Sequence, residues 1–307
     1  MTVSDPVVEA VVATVSRSAT EIRQGLVGRR GAVGEENPSG ETQVEADIWA
    51  DELLADRLSA IDGVSQYASE EREAVIDCAG SDGGGASAGN DGDNGDESAA
   101  PRDGYAVAVD PLDGSSNLTS NNAMGTIVGV YDAPLPARGE DLVAAAYVLY
   151  GPITTMLLAT EDTVSEYELT GGERRLIRED VTLPEEPVVY GFGGRVPDWT
   201  DAFSEYAREI ETELKLRYGG AMIGDVNQVL TYGGVFGYPG LKSRSEGKLR
   251  LQFEGNPVGY IVEQAGGRSS NGEQSLLTVE PTDDIHERTP VFVGNESLID
   301  RLETHLS

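Results

Sequence analysis

Cysteine, histidine and lysine are all scarce in this chain of 307 residues, and each scarcity closes off a chemistry. The single cysteine, Cys78, rules out an intrachain disulfide framework and a thiolate zinc site. Two histidines, His286 and His305, leave little material for a Ser–His–Asp or Cys–His nucleophilic arrangement. Lysine occurs three times, as Lys215, Lys242 and Lys248, and the rest of the 22 basic residues are arginines. No window of about 18 apolar residues is present, so no transmembrane helix is expected. The opening residues Met1-Thr2-Val3-Ser4-Asp5-Pro6 lack the basic stretch and apolar run of a secretory signal, and the expected location is cytoplasmic.

Negative charge is what abounds. Against those 22 basic residues stand 54 acidic ones, giving a formal net charge of −32 and a pI of about 4.2. Nucleic-acid phosphates and anionic membranes repel such a polyanion, so neither is expected as a partner. Acidity of this kind often accompanies disorder, but a 39% hydrophobic content and well-patterned segments indicate a folded protein. Few lysines on an acidic surface fit a halophilic protein, in which concentrated salt screens the self-repulsion. All three lysines fall between 215 and 248, which marks that stretch as a candidate anion-binding region. If the chain is an enzyme, carboxylates must do its acid–base work, with a hard metal ion as their natural companion.

Val7, Val11, Val15 and Ala19 recur at helical spacing and predict a helix over 7–22. Residues 25–40 read as a loop rich in Gly, Asn and Pro. A second helix is expected over 47–61, with Trp49/Leu53 and Leu54/Leu58/Ile61 as its apolar stripe. Strands are predicted at 64–69, 105–109 and 126–131, a hairpin at 143–150 and 153–160 across Gly151-Pro152, and short strands onward to about 178. Past 182 the pattern alternates, with strands at 188–192, 235–238, 249–254 and 290–293 and helices at 199–216, 222–231, 257–264 and 297–305. The expected fold class is α/β: a mainly antiparallel half over 1–180 and an α/β half over 181–307, with a cleft between them. Segment 78–103 is a low-complexity insert containing Gly83-Gly84-Gly85 and Asn90-Asp91-Gly92-Asp93-Asn94-Gly95-Asp96. It lacks the closing glutamate and flanking helices of a calcium loop and reads as a solvated surface connection.

The strongest local signal is Asp110-Pro111-Leu112-Asp113-Gly114-Ser115-Ser116-Asn117, directly after the strand expected at 105–109. Two carboxylates three apart at a strand's end, with Pro111 fixing a turn, can converge on one cation. Gly114-Ser115-Ser116 then offers amides and hydroxyls to a phosphate oxygen, the more so if a helix starts there. The plainer alternative is an Asp-rich turn held by its own side-chain hydrogen bonds. Glu70 and Glu71 end the strand at 64–69 and point to opposite sides, so one of them can face a metal. Taken alone, such a pair is an ordinary solvated surface feature. Glu41 and Asp47 flank the entry to the second helix, with Asp47 a candidate N-cap. Glu254 ends the apolar strand expected at 249–254 and can reach a cleft at the carboxyl end of a sheet.

These segments belong with four others: Leu216-Arg217-Tyr218-Gly219-Gly220-Ala221-Met222, Tyr232-Gly233-Gly234-Val235-Phe236-Gly237-Tyr238-Pro239, Gly247-Lys248-Leu249-Arg250-Leu251 and Pro281-Thr282-Asp283-Asp284-Ile285-His286. Together they strongly resemble the class I fructose-1,6-bisphosphatase family, from about residue 39 onward apart from the insert. The Asp-Pro-x-Asp-Gly core is shared with the inositol monophosphatases, and the stretch 248–257 narrows the resemblance to the bisphosphatases. The resemblance implies a layered α-β-α-β-α sugar-phosphatase fold and the gluconeogenic hydrolysis of fructose 1,6-bisphosphate, with two or three Mg²⁺ per site and Mn²⁺ as a substitute. On matching positions the metal carboxylates are Glu70, Glu71, Asp110, Asp113 and Glu254, with the Leu112 carbonyl and Glu41 as further ligands. Asp47 and Glu71 form the implied catalytic pair that polarises water. The 1-phosphate side falls to Asp113, Gly114, Ser115, Ser116, Leu249 and Arg250. The distal phosphate falls to Tyr218, Tyr238 and Lys248, with Arg217 reaching in from a neighbouring subunit of a dimer or tetramer.

The chain also departs from the family. Tyr190-Gly191-Phe192-Gly193-Gly194-Arg195 stands where a Ser-x-Asn-Glu-Gly segment normally meets the distal phosphate, and Arg195 is a candidate substitute. Gly104 and Asp132 replace a lysine and an arginine of the AMP-regulated members, the N-terminal arm is shorter, and no nucleotide loop is present; no AMP inhibition is expected. A sedoheptulose 1,7-bisphosphatase and an inositol-monophosphatase-like enzyme are the alternative activities. An inactive relative acting as a binding or regulatory protein is the alternative from another class.

Overall fold

The structure is a computed structural model that describes residues 5–36, 38, 42–78 and 104–307. Glu41 and residues 79–103 of the insert lie outside the described residues. Helix α1 (Pro6–Gly25) is capped by Asp5, whose Oδ1 accepts the amides of Val7 and Val8 at 2.8 and 2.9 Å, and Pro6 occupies its first turn. The stretch expected to be a loop carries an antiparallel strand pair, β1 (Ala32–Glu36) and β2 (Thr42–Val44). Strands of five and three residues are too short to leave a periodic signature. Helix α2 (Glu45–Leu58) begins before Asp47, and its N-cap is Val44. Asp47 sits instead in the first turn, where its carboxylate accepts the Val44 amide at 2.8 Å.

The chain then lays down β3 (Val64–Ser69), β4 (Ile76–Asp77), β5 (Tyr105–Asp113), the short helix α3 (Asn117–Ser120) and β6 (Met124–Tyr131). β7 (Leu142–Tyr150), β8 (Thr154–Thr160), β9 (Val164–Thr170) and β10 (Glu173–Arg178) follow. They form an eight-stranded sheet in the order β10-β9-β8-β7-β6-β5-β3-β4, in which only the β3–β5 pairing is parallel. Alternate residues serve two different cores: Val107 and Val109 pack with α1 and α2, whereas Ala106 and Ala108 face the opposite way. Burial on both faces is why these strands read as nearly continuous apolar runs.

The second half adds β11 (Val189–Phe192), α4 (Asp201–Glu213), β12 (Lys215–Leu216), α5 (Met222–Tyr232), β13 (Gly234–Tyr238) and β14 (Leu249–Arg250). It ends with α6 (Asn256–Gln264), β15 (Arg268–Ser270), β16 (Arg288–Thr289), β17 (Val291–Gly294) and α7 (Glu296–Leu306). A five-stranded sheet runs β12-β11-β13-β17-β15. The helix expected to reach residue 216 stops at Glu213, because Lys215–Leu216 pairs in parallel with β11. A larger correction concerns 249–254. Only Leu249–Arg250 is strand, paired with β16, and Leu251–Gly255 is a π-helical turn leading into α6.

Five layers result. α1 and α2 cover the outer face of the large sheet, and α5 and α6 fill the space between the two sheets. α4 and α7 close the far side with Phe203, Tyr206, Ile210, Leu298 and Ile299. This is the α-β-α-β-α order that the resemblance implied.

Candidate active site

Asp110 and Asp113 illustrate how local geometry builds the site. In a regular strand, residues three apart point to opposite faces. The strand does not end at Val109 as expected but continues through Pro111 to Asp113. Along it, Asp110 pairs with Ile127 and Asp113 with Gly125, so three steps on β5 span two on β6. That extra residue is a bulge, and it returns Asp113 to the face that Asp110 shares with Ala106 and Ala108. There the Asp113 Oδ2 accepts the Ile223 amide at the start of α5 at 2.7 Å. Gly114, at φ +76°, passes so close to Ala221 that a Cβ would stand 2.2 Å from the alanine's own.

Glu70 leaves the end of β3 on the same inner face, its amide bonded to the Val109 carbonyl at 3.1 Å. Glu254 arrives from the π-helical turn rather than from a strand end, and its Oε2 accepts the Arg250 amide at 2.7 Å. Carboxylate oxygens of Glu70, Asp110 and Glu254 lie within 4.8 Å of one another, and all three residues are buried. Arg250, 1% exposed, places its guanidinium 2.9 Å from Glu70 and 3.9 Å from Glu254.

Buried like charges repel, and the titration of the group reflects it. The Asp110 carboxyl is held well above the usual range by burial and then by Glu70 and Glu254. Glu254 is raised by burial and Glu70, with Arg250 pulling the other way. Asp113 is pushed up to about 6 by burial, against the pull of the Ile223 amide. Asp225, on α5, is pushed up to about 7 by burial, against the Gly219 amide and with the Asp113 charge. A carboxyl whose pKa is higher in the folded than in the unfolded chain stabilises the fold below its unfolded pKa and loses that contribution as pH rises through the folded one. Chelator-treated protein is therefore expected to melt at a higher temperature near about pH 6 than near about pH 8. Melting curves across that range check it, and an equal or lower Tm at the acid end contradicts it.

Glu70, Asp110, Asp113, Arg250 and Glu254 share a cavity of about 390 Å³. The carboxylates on its wall are Asp47, Glu70, Glu71, Asp110, Asp113 and Glu254, and the cations are Lys248 and Arg250. Leu112, Gly114, Ser115, Ser116, Leu249 and Tyr238 line it too. The Leu112 carbonyl accepts the Ser115 amide at 3.1 Å, and Ser116 occupies the N-cap position of the four-residue α3 without a side-chain cap hydrogen bond. Tyr218 is joined to this wall through its hydroxyl, 3.2 Å from that of Tyr238, and the Lys248 ammonium lies 5.8 Å from the Tyr238 ring centre. Arg217 and Arg195 are exposed and are not among the residues that line the cavity. A larger cavity of about 670 Å³ beside the end of α1 has no carboxylate on its wall among the described residues.

Three supporting residues escaped the sequence reading. Asp51, buried on α2, binds the Arg72 guanidinium at 2.7 Å and accepts the Tyr67 hydroxyl at 3.1 Å, tying down the turn that carries Glu70 and Glu71. His286 donates its Nε2 proton to the Arg72 carbonyl, 2.8 Å away, since a carbonyl can only accept. Asp225 was legible as an acid on the apolar face of a helix, among Met222, Val226 and Val229.

A cavity that sets clustered carboxylates against backbone amides and two cations, in five alternating layers, makes this a layered α/β phosphatase. The solved structures most like it include Leishmania major fructose-1,6-bisphosphatase in holo form, at a TM-score of 0.86 and 28% identity over 98% of this chain and 95% of that one. The same enzyme in its T-state superimposes at a TM-score of 0.80. Residues 7–178 match the family model of the fructose-1-6-bisphosphatase N-terminal domain, and residues 183–307 that of the C-terminal domain. Fructose-1,6-bisphosphatase class 1 of Natronomonas pharaonis is 58% identical, covering 98% of each chain. That of Halobacterium salinarum is 54% identical over 98% of this chain and 97% of its own. The chain belongs to the class I fructose-1,6-bisphosphatase family.

Proposed function

We propose that this chain hydrolyses the 1-phosphate of fructose 1,6-bisphosphate, releasing fructose 6-phosphate and inorganic phosphate, with divalent metal ions held by its carboxylates. The observation that carries this reading is the two-ended cavity: Glu70, Asp110 and Glu254 converge at one place, while Tyr238 and Lys248 stand on the same wall. The donor set fits a hard cation such as Mg²⁺ or Mn²⁺, because every side-chain donor in the trio is a carboxylate oxygen. Glu70, Asp110 and Glu254 would hold the ions, with Glu71, Asp113 and the Leu112 carbonyl as further ligands. When bound, such ions neutralise phosphoryl oxygens and acidify a coordinated water.

The chain's own groups do the rest. Asp47 and Glu71 orient the attacking water and take its proton as the water oxygen bonds to phosphorus and the bond to the sugar oxygen breaks. Gly114, Ser115 and the Arg250 guanidinium steady the phosphoryl oxygens, with Ser116 and Leu249 beside them. Lys248, Tyr218 and Tyr238 hold the distal phosphate and so orient the sugar. Arg217, exposed on its own subunit, serves the distal site of a partner in a dimer or tetramer. Residues 1–180 then supply the metal-binding half and 181–307 the substrate-binding half, in a cytoplasmic protein whose net charge of −32 suits concentrated salt.

Phosphate release from fructose 1,6-bisphosphate, sedoheptulose 1,7-bisphosphate and inositol 1-phosphate, measured in high salt with Mg²⁺, tests the assignment. The fructose bisphosphate is expected to give the highest kcat/KM, and a preference for inositol 1-phosphate overturns the reading. AMP is expected to have no effect. Gly104 leaves no cation before Tyr105, the Tyr105 hydroxyl already donates to Asp5 Oδ2 at 3.0 Å, and Asp132 adds negative charge nearby. Inhibition at micromolar AMP contradicts this.

A further inference from the structure

The Tyr218–Gly220 segment forms no regular secondary structure, yet it joins the edge strand β12 to α5 beside the cavity. The peptide groups around Gly219 are gripped from both sides. The Gly219 carbonyl accepts Asn117 Nδ2 and Asn122 Nδ2, each at 2.9 Å, from the run that follows the Asp110–Gly114 stretch. The Gly219 amide donates to Asp225 Oδ1 at 2.6 Å. Gly220 holds φ at +83° and lines the cavity, and Tyr218 on the other side of the grip meets Tyr238. The start of α5 is thus bonded twice: by Asp113 toward the clustered carboxylates and by Asp225 toward the distal wall.

Asp225 is an odd choice for a merely structural clamp. It is 4% exposed, and its Oδ2 is buried with no hydrogen-bond donor among the described residues. Burial and the Asp113 charge push its pKa up to about 7, so the folded chain holds this carboxylate at an energetic disadvantage. An apolar residue in the same position of α5 would pack without that penalty. What the carboxylate adds is an acceptor for the Gly219 amide at the centre of the loop.

We infer that Asp225 is the positioning residue for the distal-phosphate site, holding Tyr218–Gly220 so that the cavity selects substrates with a second phosphate. The inference rests on the bisphosphatase reading above and deepens it. Asp225 touches no reacting atom. Losing it loosens the far end of the site and leaves the carboxylate cluster in place.

The test compares fructose 1,6-bisphosphate with fructose 1-phosphate, which lacks the distal group, for the wild type, Asp225→Ala and Asp225→Asn. For Asp225→Ala, KM for the bisphosphate is expected to rise about 30-fold with kcat held within about threefold, and kcat/KM for the monophosphate to stay within about threefold. Asn keeps an oxygen acceptor at Oδ1, so Asp225→Asn is expected to restore most of the bisphosphate KM. Equal losses on both substrates, or no rescue by Asn, overturn the proposal. Should Asp225→Ala fail to fold, Asn122→Ala decides, because it removes, from an exposed position, one of the two hydrogen bonds that hold the Gly219 carbonyl: a selective rise in bisphosphate KM supports the inference, and an unchanged KM overturns it. A wild type that shows no preference for the bisphosphate overturns the functional reading itself, before any variant is compared.

Discussion

Asp110→Asn is expected to reduce turnover of fructose 1,6-bisphosphate by about a thousandfold or more while the fold persists. Asp110 is one of three carboxylates whose oxygens gather within 4.8 Å, so replacing it removes one negative charge from the place where cations are to be held. Its backbone role survives, because Asp110 Oδ1 accepts the Leu112 amide at 3.0 Å and an asparagine oxygen can do the same. Removing the charge also relieves repulsion with Glu70 and Glu254, the neighbours that raise its pKa. The metal-free variant is therefore expected to melt roughly 2 °C or more above metal-free wild type. Lost activity with raised apo stability is a signature that a merely structural aspartate does not give. Near-normal turnover contradicts the metal role, and a collapsed melting transition contradicts the account of the repulsion.

Chelation is expected to have an effect of similar size on the unaltered protein. Among the described residues, six carboxylates and two cations line the cavity, so its own side chains leave it with excess negative charge. With the metal removed, that repulsion is unbalanced and phosphate release falls to background. Added Mg²⁺ or Mn²⁺ restores it. Binding confined to the folded state also raises Tm, since a cation at about 100 times its dissociation constant contributes about 2.7 kcal/mol per site. Activity assays and melting curves on the same chelated samples read both effects. Turnover that persists in excess chelator removes the metal from the mechanism.

Much of the fold was legible in the residues. Helix α1 and the strands β3, β5, β6, β7 and β8 are long or strongly patterned, and their expected bounds lie within a few residues of the observed ones. The octet beginning at Asp110 was legible as a site because carboxylates, glycine and serines at such close spacing have little use in a core. What escaped depends on contacts between distant segments. β1 and β2 are too short to leave a pattern. Glu254 looked like a strand end because Leu249, Leu251 and Phe253 alternate, whereas the chain there winds into a π-helical turn that closes on the Arg250 amide.

The sequence by itself determined which chemistry this protein can perform. Starved of cysteine and histidine and rich in acids, it has carboxylates as its means of holding metal and moving protons. Only the tertiary structure decided which of 54 acidic residues meet. A one-residue bulge in β5 turns Asp113 onto the same face as Asp110, and the layering of two sheets around α5 and α6 brings Glu70 and Glu254 to them across much of the chain. Facing direction depends on strand register and on what packs opposite, and neither is written in the spacing of the residues themselves.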